Sequence, residues 1–126
     1  MILIVEDDTS YGMSLERLLR FAGHEAVFCP GGSEALTLIH IRRPQLIILD
    51  LKMPVMDGLT LLRSIRNDES FKSIPILVYT SDFTTATRNE AVKAGAQEVL
   101  VKGTVAWEAL LRQVESFVGE KTWKLS

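Results

Sequence analysis

The chain has a single cysteine, Cys29, so none of its 126 residues can be joined by an internal disulfide. No hydrophobic segment of the kind that directs secretion precedes the first strand-like run, and these two absences predict a protein of the reducing cytoplasm. The uninterrupted apolar runs, such as Leu46–Leu49, are far shorter than the roughly 20 residues that a membrane-spanning helix needs. We therefore expect a soluble, cytoplasmic protein that makes no membrane contact.

The chain also lacks an excess of charge of either sign. Fourteen Lys and Arg against sixteen Asp and Glu give a net charge of −2, and no dense basic run is present to bind a phosphate backbone. This balance argues against direct nucleic-acid binding. The length suits one domain, which we predict over residues 1–119, with a polar C-terminal tail over residues 120–126 that is expected to be disordered.

Five short apolar runs alternate with helical patterns along the chain. Each run is apolar almost throughout rather than at every second residue, which is typical of strands that are covered on both faces. The predicted strands are Ile2–Val5, Ala26–Cys29, Leu46–Leu49, Ile76–Tyr79 and Val99–Val101. The alternation predicts an α/β fold of three layers, a doubly wound (βα)5 unit with a five-stranded parallel sheet.

The segments between the strands carry apolar stripes at helical spacing. A first helix, over about residues 10–22, is predicted to bury one face, made of Tyr11, Leu15, Leu18, Leu19 and Ala22. Ser33 is predicted to cap the second helix, and the third is predicted to begin near Asp57. The fourth, roughly residues 84–94, offers only alanines and Val92 for burial, so we expect it to be the least firmly anchored.

Polar residues follow the predicted strands at the points where they end. Glu6 and Asp7 follow the first strand, and Asp50 follows the third. Thr80 follows the fourth strand and Lys102 follows the fifth. Because the carboxyl ends of parallel strands meet at one edge of a sheet, we expect these side chains to share one pocket.

The predicted pocket has the chemistry of a magnesium-dependent phosphoryl site. Carboxylates held close together repel one another unless a cation neutralises them, and a set of oxygen ligands suits Mg²⁺ better than zinc. A carboxylate such as Asp50 can act as a nucleophile and form an aspartyl phosphate. Lys102 would then offset charge on the phosphoryl oxygens, and the Thr80 hydroxyl would donate a hydrogen bond to one of them.

Over essentially its whole length the sequence resembles the receiver domain of two-component response regulators. The resemblance is carried by Ile2-Leu3-Ile4-Val5-Glu6-Asp7-Asp8, Asp50-Leu51-Lys52-Met53-Pro54-Val55-Met56-Asp57-Gly58, Ala94-Gly95-Ala96 and Val101-Lys102. It implies a flavodoxin-like sheet with the strand order 2-1-3-4-5. It also implies a phosphorylation-operated switch, which assists its own phosphorylation and dephosphorylation but is not an enzyme with a separate substrate.

The resemblance also implies the role of each site residue. Asp50 accepts a phosphoryl group from a histidine kinase or phosphotransfer protein. Asp7, Asp50 and the backbone carbonyl of Lys52 ligate Mg²⁺, and Glu6 contacts the ion through water. Thr80 is the switch hydroxyl, and Lys102 is the charge partner of the phosphoryl group. The implied output is a changed surface for a downstream effector protein or a fused output domain, with the domain monomeric or forming a phosphorylation-dependent dimer.

Residues beside the site have supporting roles in this interpretation. Asp8 is predicted to cap the first helix, while Pro54 and Gly58 are implied to shape the loop after Asp50. Lys52 and Asp82 stand two positions beyond Asp50 and Thr80, respectively, and we hypothesise that they form an ion pair that screens the acyl phosphate.

The chain departs from the family pattern at two positions. Gly103 follows Lys102 where the family usually has proline, and Val99 stands where the family often has an aromatic switch residue. These departures favour an alternative function, a phosphate-independent interaction module that keeps the receiver shape. A flavodoxin-like FMN protein is a third alternative, but an acidic cluster would repel the flavin phosphate.

Overall fold

A computed structural model describes residues 1–53, 57–82 and 84–119. The strands are β1 (Ile2–Val5), β2 (Ala26–Cys29), β3 (Leu46–Leu49), β4 (Ile76–Thr80) and β5 (Glu98–Val101). The helices are α1 (Thr9–Phe21), α2 (Gly32–Ile41), α3 (Gly58–Arg66), α4 (Thr85–Ala94) and α5 (Trp107–Val118). Every predicted strand is present and differs by one residue at most, since β4 extends to Thr80 and β5 begins at Glu98.

The strands form one parallel sheet in the order β2-β1-β3-β4-β5. In this order β1 and β3 are neighbours, with Val5 paired to Leu49, and β4 and β5 are neighbours, with Thr80 paired to Val101. The predicted α/β fold and the implied strand order are confirmed. All five strands therefore end at the same edge of the sheet.

Helices cover both faces of the sheet, and successive strand residues point to opposite layers. Leu3 and Val5 belong to a core shared with α2, α3 and α4, whereas Ile2 and Ile4 belong to a second core shared with α1 and α5. Strands β1, β3 and β4 are buried throughout, which explains their continuous apolar sequences. The edge strands β2 and β5 are only partly buried.

Side chains at the helix starts agree with two predictions and contradict a third. The carboxylate of Asp8 accepts a hydrogen bond from the Tyr11 backbone N–H at 3.1 Å, so Asp8 caps α1 as predicted. Asp57 caps α3 through the Thr60 N–H at 2.7 Å. The prediction that Ser33 caps α2 is wrong, because the helix begins earlier, after Gly31, whose extended backbone already directs the chain into the first turn.

Two apolar residues that were predicted to be buried lie at the surface. Leu18 on α1 is 41% exposed, because it borders an open groove between α1 and α5 instead of packing beneath α5. Val92 on α4 is 53% exposed, and Ala91 is the buried residue of that helix. The fourth helix therefore has a small apolar contact with the sheet, in agreement with its predicted weak anchoring.

Three further features bear on the sequence predictions. The peptide between Lys102 and Gly103 is trans, and Gly103 adopts a left-handed backbone with φ of 82°. The only cysteine, Cys29, is buried at the end of β2. Across residues 1–53, 57–82 and 84–119, none of the helices combines the length and apolarity that crossing a bilayer requires.

Pro54 and the tail of residues 120–126 lie outside the described residues.

Candidate functional site

Three carboxylates meet where β1 and β3 end. Glu6 and Asp7 directly follow β1, and Asp50 directly follows β3, where its backbone N–H donates to the Val5 carbonyl at 3.0 Å. The pairing of the two strands therefore sets Glu6 beside Asp50. Carboxylate oxygens of Glu6, Asp7 and Asp50 all lie within 4.8 Å of one another. The structure thus brings together the acidic residues that the sequence placed at separate strand ends.

The acidic cluster is partly buried, which makes its negative charge unfavourable. Glu6 is 3% exposed and Asp50 is 7% exposed, whereas Asp7 lies at the solvent side. Burial first, and then the neighbouring Asp50, raise the pKa of Glu6 to about 7 against the opposing effect of Lys102. A cation at this position would relieve that strain, because it would favour the ionised form of every carboxylate.

Lys102 directs its ammonium group into the cluster from the end of β5. Its backbone N–H donates to the Thr80 carbonyl at 2.8 Å, which fixes the start of the side chain against β4. Its Nζ donates to Glu6 Oε1 and lies 3.4 Å from Asp50 Oδ2. Burial lowers the pKa of Lys102, but the hydrogen bond to Glu6 and the charge of Asp50 outweigh it, so the pKa is raised and the ammonium stays charged.

Thr80 and Lys52 lie beside these groups. Thr80 is fully buried at the end of β4, and its hydroxyl oxygen accepts a hydrogen bond from the Asp82 N–H at 3.3 Å. The backbone N–H of Lys52 donates to Asp50 Oδ1 at 3.3 Å, so the Lys52 backbone adjoins the carboxylate. The Lys52 side chain extends into solvent, and its Nζ lies 3.9 Å from Asp82 Oδ2. The hypothesised Lys52–Asp82 ion pair is therefore present.

Asp82 also joins the site to the start of α4. Its carboxylate accepts from the Thr84 N–H and from the Thr87 hydroxyl, both at 2.9 Å. The hydrogen bond from the Thr84 N–H, followed by that from the Thr87 hydroxyl, lowers the pKa of Asp82. A change at Thr80 can therefore reach the first turn of α4 through Asp82. This connection involves α4, in which Ala91 is the buried residue.

Gly58 allows α3 to begin against the loop that carries Asp50. Its N–H donates to the Leu51 carbonyl at 2.9 Å. A Cβ at Gly58 would lie 2.2 Å from the Asp50 carbonyl oxygen and 2.6 Å from Leu51 Cα. Glycine is the residue that fits here, since both neighbours are backbone atoms.

The sequence interpretation missed two tyrosines that lie next to the site. Tyr11 was assigned only to the buried face of α1, but its ring lies beneath the Lys102 ammonium, 4.4 Å from Nζ to the ring centroid. Its hydroxyl donates to the hydroxyl of Tyr79 at 2.9 Å. The available signal was the position of Tyr79, directly before Thr80, because a buried tyrosine hydroxyl needs a polar partner.

The donor set of the cluster suits magnesium. Among the described residues, the group of His, Cys, Asp or Glu side chains that could hold an ion is Glu6, Asp7 and Asp50, which offer oxygen alone. Oxygen ligands from a few carboxylates are typical of Mg²⁺, which usually keeps several waters and binds beside phosphate. The raised pKa of Glu6 adds an electrostatic reason for a cation here.

Comparisons with known proteins agree with this site. The transcriptional regulatory protein PrrA of Mycobacterium tuberculosis is 38% identical over 114 residues, which cover 88% of this chain and 47% of PrrA. The chain spans about half the length of the curated relatives it matches. Chemotaxis protein CheY4 of Vibrio cholerae has 31% identity and a TM-score of 0.85, with 92% of this chain and 96% of that chain covered.

A further similar structure contains a metal. The receiver domain of the sensor histidine kinase PA1611 of Pseudomonas aeruginosa, with a magnesium ion coordinated in its active site cleft, has 28% identity and a TM-score of 0.84. The match covers 94% of this chain and 97% of that chain. The family model of the response regulator receiver domain matches residues 2–115. The resemblance read from the sequence is thus confirmed, and the chain belongs to the response regulator receiver domain family.

Proposed function

We propose that Asp50 is the phosphoacceptor of this receiver domain and that its modification controls a protein-interaction surface. The observation that carries the proposal is the convergence of three carboxylates and one ammonium group from the ends of β1, β3 and β5. The Asp50 carboxylate is held at this point by the Lys52 N–H and by Lys102. It therefore combines a nucleophilic oxygen with a neighbouring positive charge.

In the proposed reaction an oxygen of Asp50 attacks the phosphorus of a phosphohistidine on a histidine kinase or phosphotransfer protein. The new O–P bond forms as the P–N bond breaks, and the imidazole leaves with that electron pair and takes up a proton. Lys102 offsets negative charge on the phosphoryl oxygens. The Thr80 hydroxyl donates to one of these oxygens after it turns from Asp82. The domain turns over no separate substrate.

We propose Mg²⁺ as the cofactor, held by the side chains of Asp7 and Asp50 and the backbone carbonyl of Lys52, with Glu6 contacting it through water. When bound, the ion supplies positive charge that stabilises the phosphoryl oxygens. The oxygen-only donor set and the electrostatic strain at Glu6 support this assignment.

Labelling with a small phosphodonor tests the proposal. The protein is incubated with phosphoramidate, with Mg²⁺ in one sample and with excess chelator in the other, and phosphoryl incorporation is followed by mass spectrometry of the intact chain. We expect one phosphoryl group per chain in the presence of Mg²⁺ and none after chelation. Equal incorporation in both samples would contradict a metal-dependent acceptor.

The raised pKa of Glu6 predicts that magnesium stabilises the domain in a pH-dependent way. The pKa is about 7 in the folded protein against an ordinary value of 4.5, so the metal-free folded state binds the proton more tightly than the unfolded state does. Stability from this group therefore falls as the pH rises from 4.5 through about 7. Above that range Glu6 is ionised, and its proton no longer competes with the metal.

We accordingly expect Mg²⁺ to raise the melting temperature more at about pH 8 than at about pH 6. Differential scanning fluorimetry with matched ionic strength measures both shifts. The Glu6→Gln variant is the control, because it removes the titrating group, and its two shifts should be closer together. A magnesium-induced shift that is the same at both pH values in the unmodified protein would speak against the titration of Glu6.

Lys52 provides a prediction about the lifetime of the phosphoryl group. If the Lys52–Asp82 pair screens the acyl phosphate from water, Lys52→Ala should shorten the phosphoryl half-life. Exposed ion pairs are weak, so the expected change is about two- to fivefold. Lys72→Ala is the matched control, since Lys72 forms an exposed ion pair with Glu69 at 2.8 Å on the loop before β4. Equal half-lives in Lys52→Ala and the unmodified protein would discard the screening role.

We propose that the output is carried by the surface at α4, with a downstream effector protein or a fused output domain as the partner and a histidine kinase or phosphotransfer protein as the donor. The hydrogen bonds from Asp82 to Thr84 and Thr87 support this choice, since they join the site to that helix. Contact through proteins rather than direct nucleic-acid binding fits the net charge of −2. We propose that the domain is cytoplasmic. We also propose that it is either a monomer or a dimer that forms on phosphorylation.

A further inference from the structure

Two tyrosines from distant parts of the chain form a pair behind the site. The hydroxyl of Tyr11, on α1, donates to the hydroxyl of Tyr79, on β4, at 2.9 Å. Their ring centroids lie 6.0 Å apart, with the rings tilted by 49°. On their outer side, both rings line the groove of about 490 Å³ between α1 and α5. The pair therefore separates this groove from the acidic cluster.

The Tyr11 ring also contacts the Lys102 ammonium. Nζ lies 4.4 Å from the ring centroid, inside the roughly 6 Å at which a cation over an aromatic face is attracted to it. The same Nζ faces Glu6 and Asp50. The ammonium thus contacts one ring and two carboxylates. Only 15% of the Lys102 side chain is exposed, so solvent screens these contacts weakly.

Several contacts fix the Tyr11 ring in place. The backbone N–H of Tyr11 is bound by the Asp8 carboxylate at the helix start, and the hydroxyl is bound by Tyr79. Burial, followed by the hydrogen bond to Tyr79, raises the pKa of Tyr11, so the phenol stays neutral. The space enclosed between the two rings, Lys102 and the strand ends is about 10 Å³, which is the lower limit for one water molecule. On this inner side of the ring there is therefore little room for solvent between Tyr11 and Lys102.

We propose that Tyr11 is a positioning residue for Lys102, and that Tyr79 holds the Tyr11 ring in the orientation that this requires. The ring keeps the ammonium directed at Asp50 and prevents the long, flexible lysine stem from extending into solvent. This inference rests on the proposed function, because the orientation of Lys102 affects the reaction only when a phosphoryl group approaches Asp50. The contact between the ring and the ammonium is independent of that function.

Three variants separate the ring face from the hydroxyl. Tyr11→Leu removes the ring and keeps an apolar side chain on the helix, whereas Tyr11→Phe keeps the ring and removes the hydroxyl. Tyr79→Phe removes the partner hydroxyl. We expect the rate constant for phosphorylation by phosphoramidate to fall about 3- to 30-fold in Tyr11→Leu, the range for a cation–π contact that is partly shielded from water, and less than about twofold in Tyr11→Phe. Tyr79→Phe should match Tyr11→Phe, because both variants remove the same hydrogen bond and keep the Tyr11 ring.

Two readouts distinguish positioning from a general loss of structure. Magnesium affinity should stay within about twofold of the unmodified protein in Tyr11→Leu, because the proposed metal ligands are untouched, while the phosphorylation rate falls. Trp107→Leu is the matched control, since it removes an aromatic ring from the α5 side of the same groove and should leave the rate unchanged. A loss in Trp107→Leu equal to that in Tyr11→Leu would overturn the positioning role.

Proton NMR observes the contact itself. The ε-methylene protons of Lys102 should be shifted upfield by the ring current in the unmodified protein and in Tyr11→Phe, and should lose this shift in Tyr11→Leu. Absence of the shift in the unmodified protein would overturn the inference even if Tyr11→Leu failed to fold. If the shift is present but no phosphoryl group is accepted, the proposed function fails and the contact remains. If phosphorylation is normal in Tyr11→Leu, the inference fails and the proposed function remains.

Discussion

The Asp50→Asn variant is expected to accept no phosphoryl group from phosphoramidate in the presence of Mg²⁺. The substitution replaces a carboxylate oxygen by an amide and so removes the proposed nucleophile, while the size and shape of the side chain are nearly unchanged. It also removes one negative charge from a buried acidic cluster, so the fold should be retained. The expected result is loss of the reaction without loss of the folded domain.

Asp8→Asn is the matched control for this experiment. Asp8 is an acidic residue beside Asp7, but its carboxylate caps α1, and asparagine caps helices about as well. We expect Asp8→Asn to be phosphorylated at nearly the rate of the unmodified protein. Incorporation in Asp50→Asn equal to that in Asp8→Asn would show that the phosphoryl group resides elsewhere.

Gly58→Ala is expected to damage both the stability and the activity of the domain. The added Cβ would lie 2.2 Å from the Asp50 carbonyl oxygen and 2.6 Å from Leu51 Cα, and backbone atoms cannot rotate away as a side chain can. Overpacking of this kind typically costs about 1–3 kcal/mol. Because the displaced backbone carries Asp50, we also expect the phosphorylation rate to fall by at least about tenfold.

Gly31→Ala provides the comparison for Gly58→Ala. A Cβ at Gly31 would approach Glu34 Oε2 at 2.6 Å, but this atom is the end of an exposed, flexible side chain. Gly31 has an extended backbone that alanine also adopts, so the loss should stay below about 1 kcal/mol. Urea unfolding gives both free energies, and the phosphoramidate assay gives both rates. Similar values for the two variants would show that the close approach at Gly58 has no consequence.

The central part of the fold was predictable because continuous apolar runs in the sequence mark its strands. The buried strands β1 and β3 are apolar throughout and end abruptly at charged residues, Glu6 and Asp50, so their limits are visible in the sequence. The approach of these carboxylates follows from the parallel arrangement. The strand order came from the family resemblance, because periodicity does not determine which strands are neighbours.

Other features depended on tertiary contacts that local sequence does not encode. The start of α2 followed the backbone at Gly31 rather than the hydroxyl of Ser33. The hydrogen bond between Tyr11 and Tyr79 joins residues 68 positions apart, and its existence depends on how α1 packs against β4. The same holds for buried His24, whose Nε2 lies 2.8 Å from Oε2 of Glu115 on α5. No spacing rule connects such pairs.

Chemical trapping of the modified residue tests the central claim most directly. The protein is phosphorylated with phosphoramidate and Mg²⁺, reduced with borohydride, digested and sequenced by mass spectrometry; reduction converts a phosphorylated aspartate to homoserine. We expect homoserine at position 50, with Glu6 and Asp7 unchanged. Homoserine at position 7, or an unreduced aspartate at position 50 in protein that carries a phosphoryl group, would contradict the account.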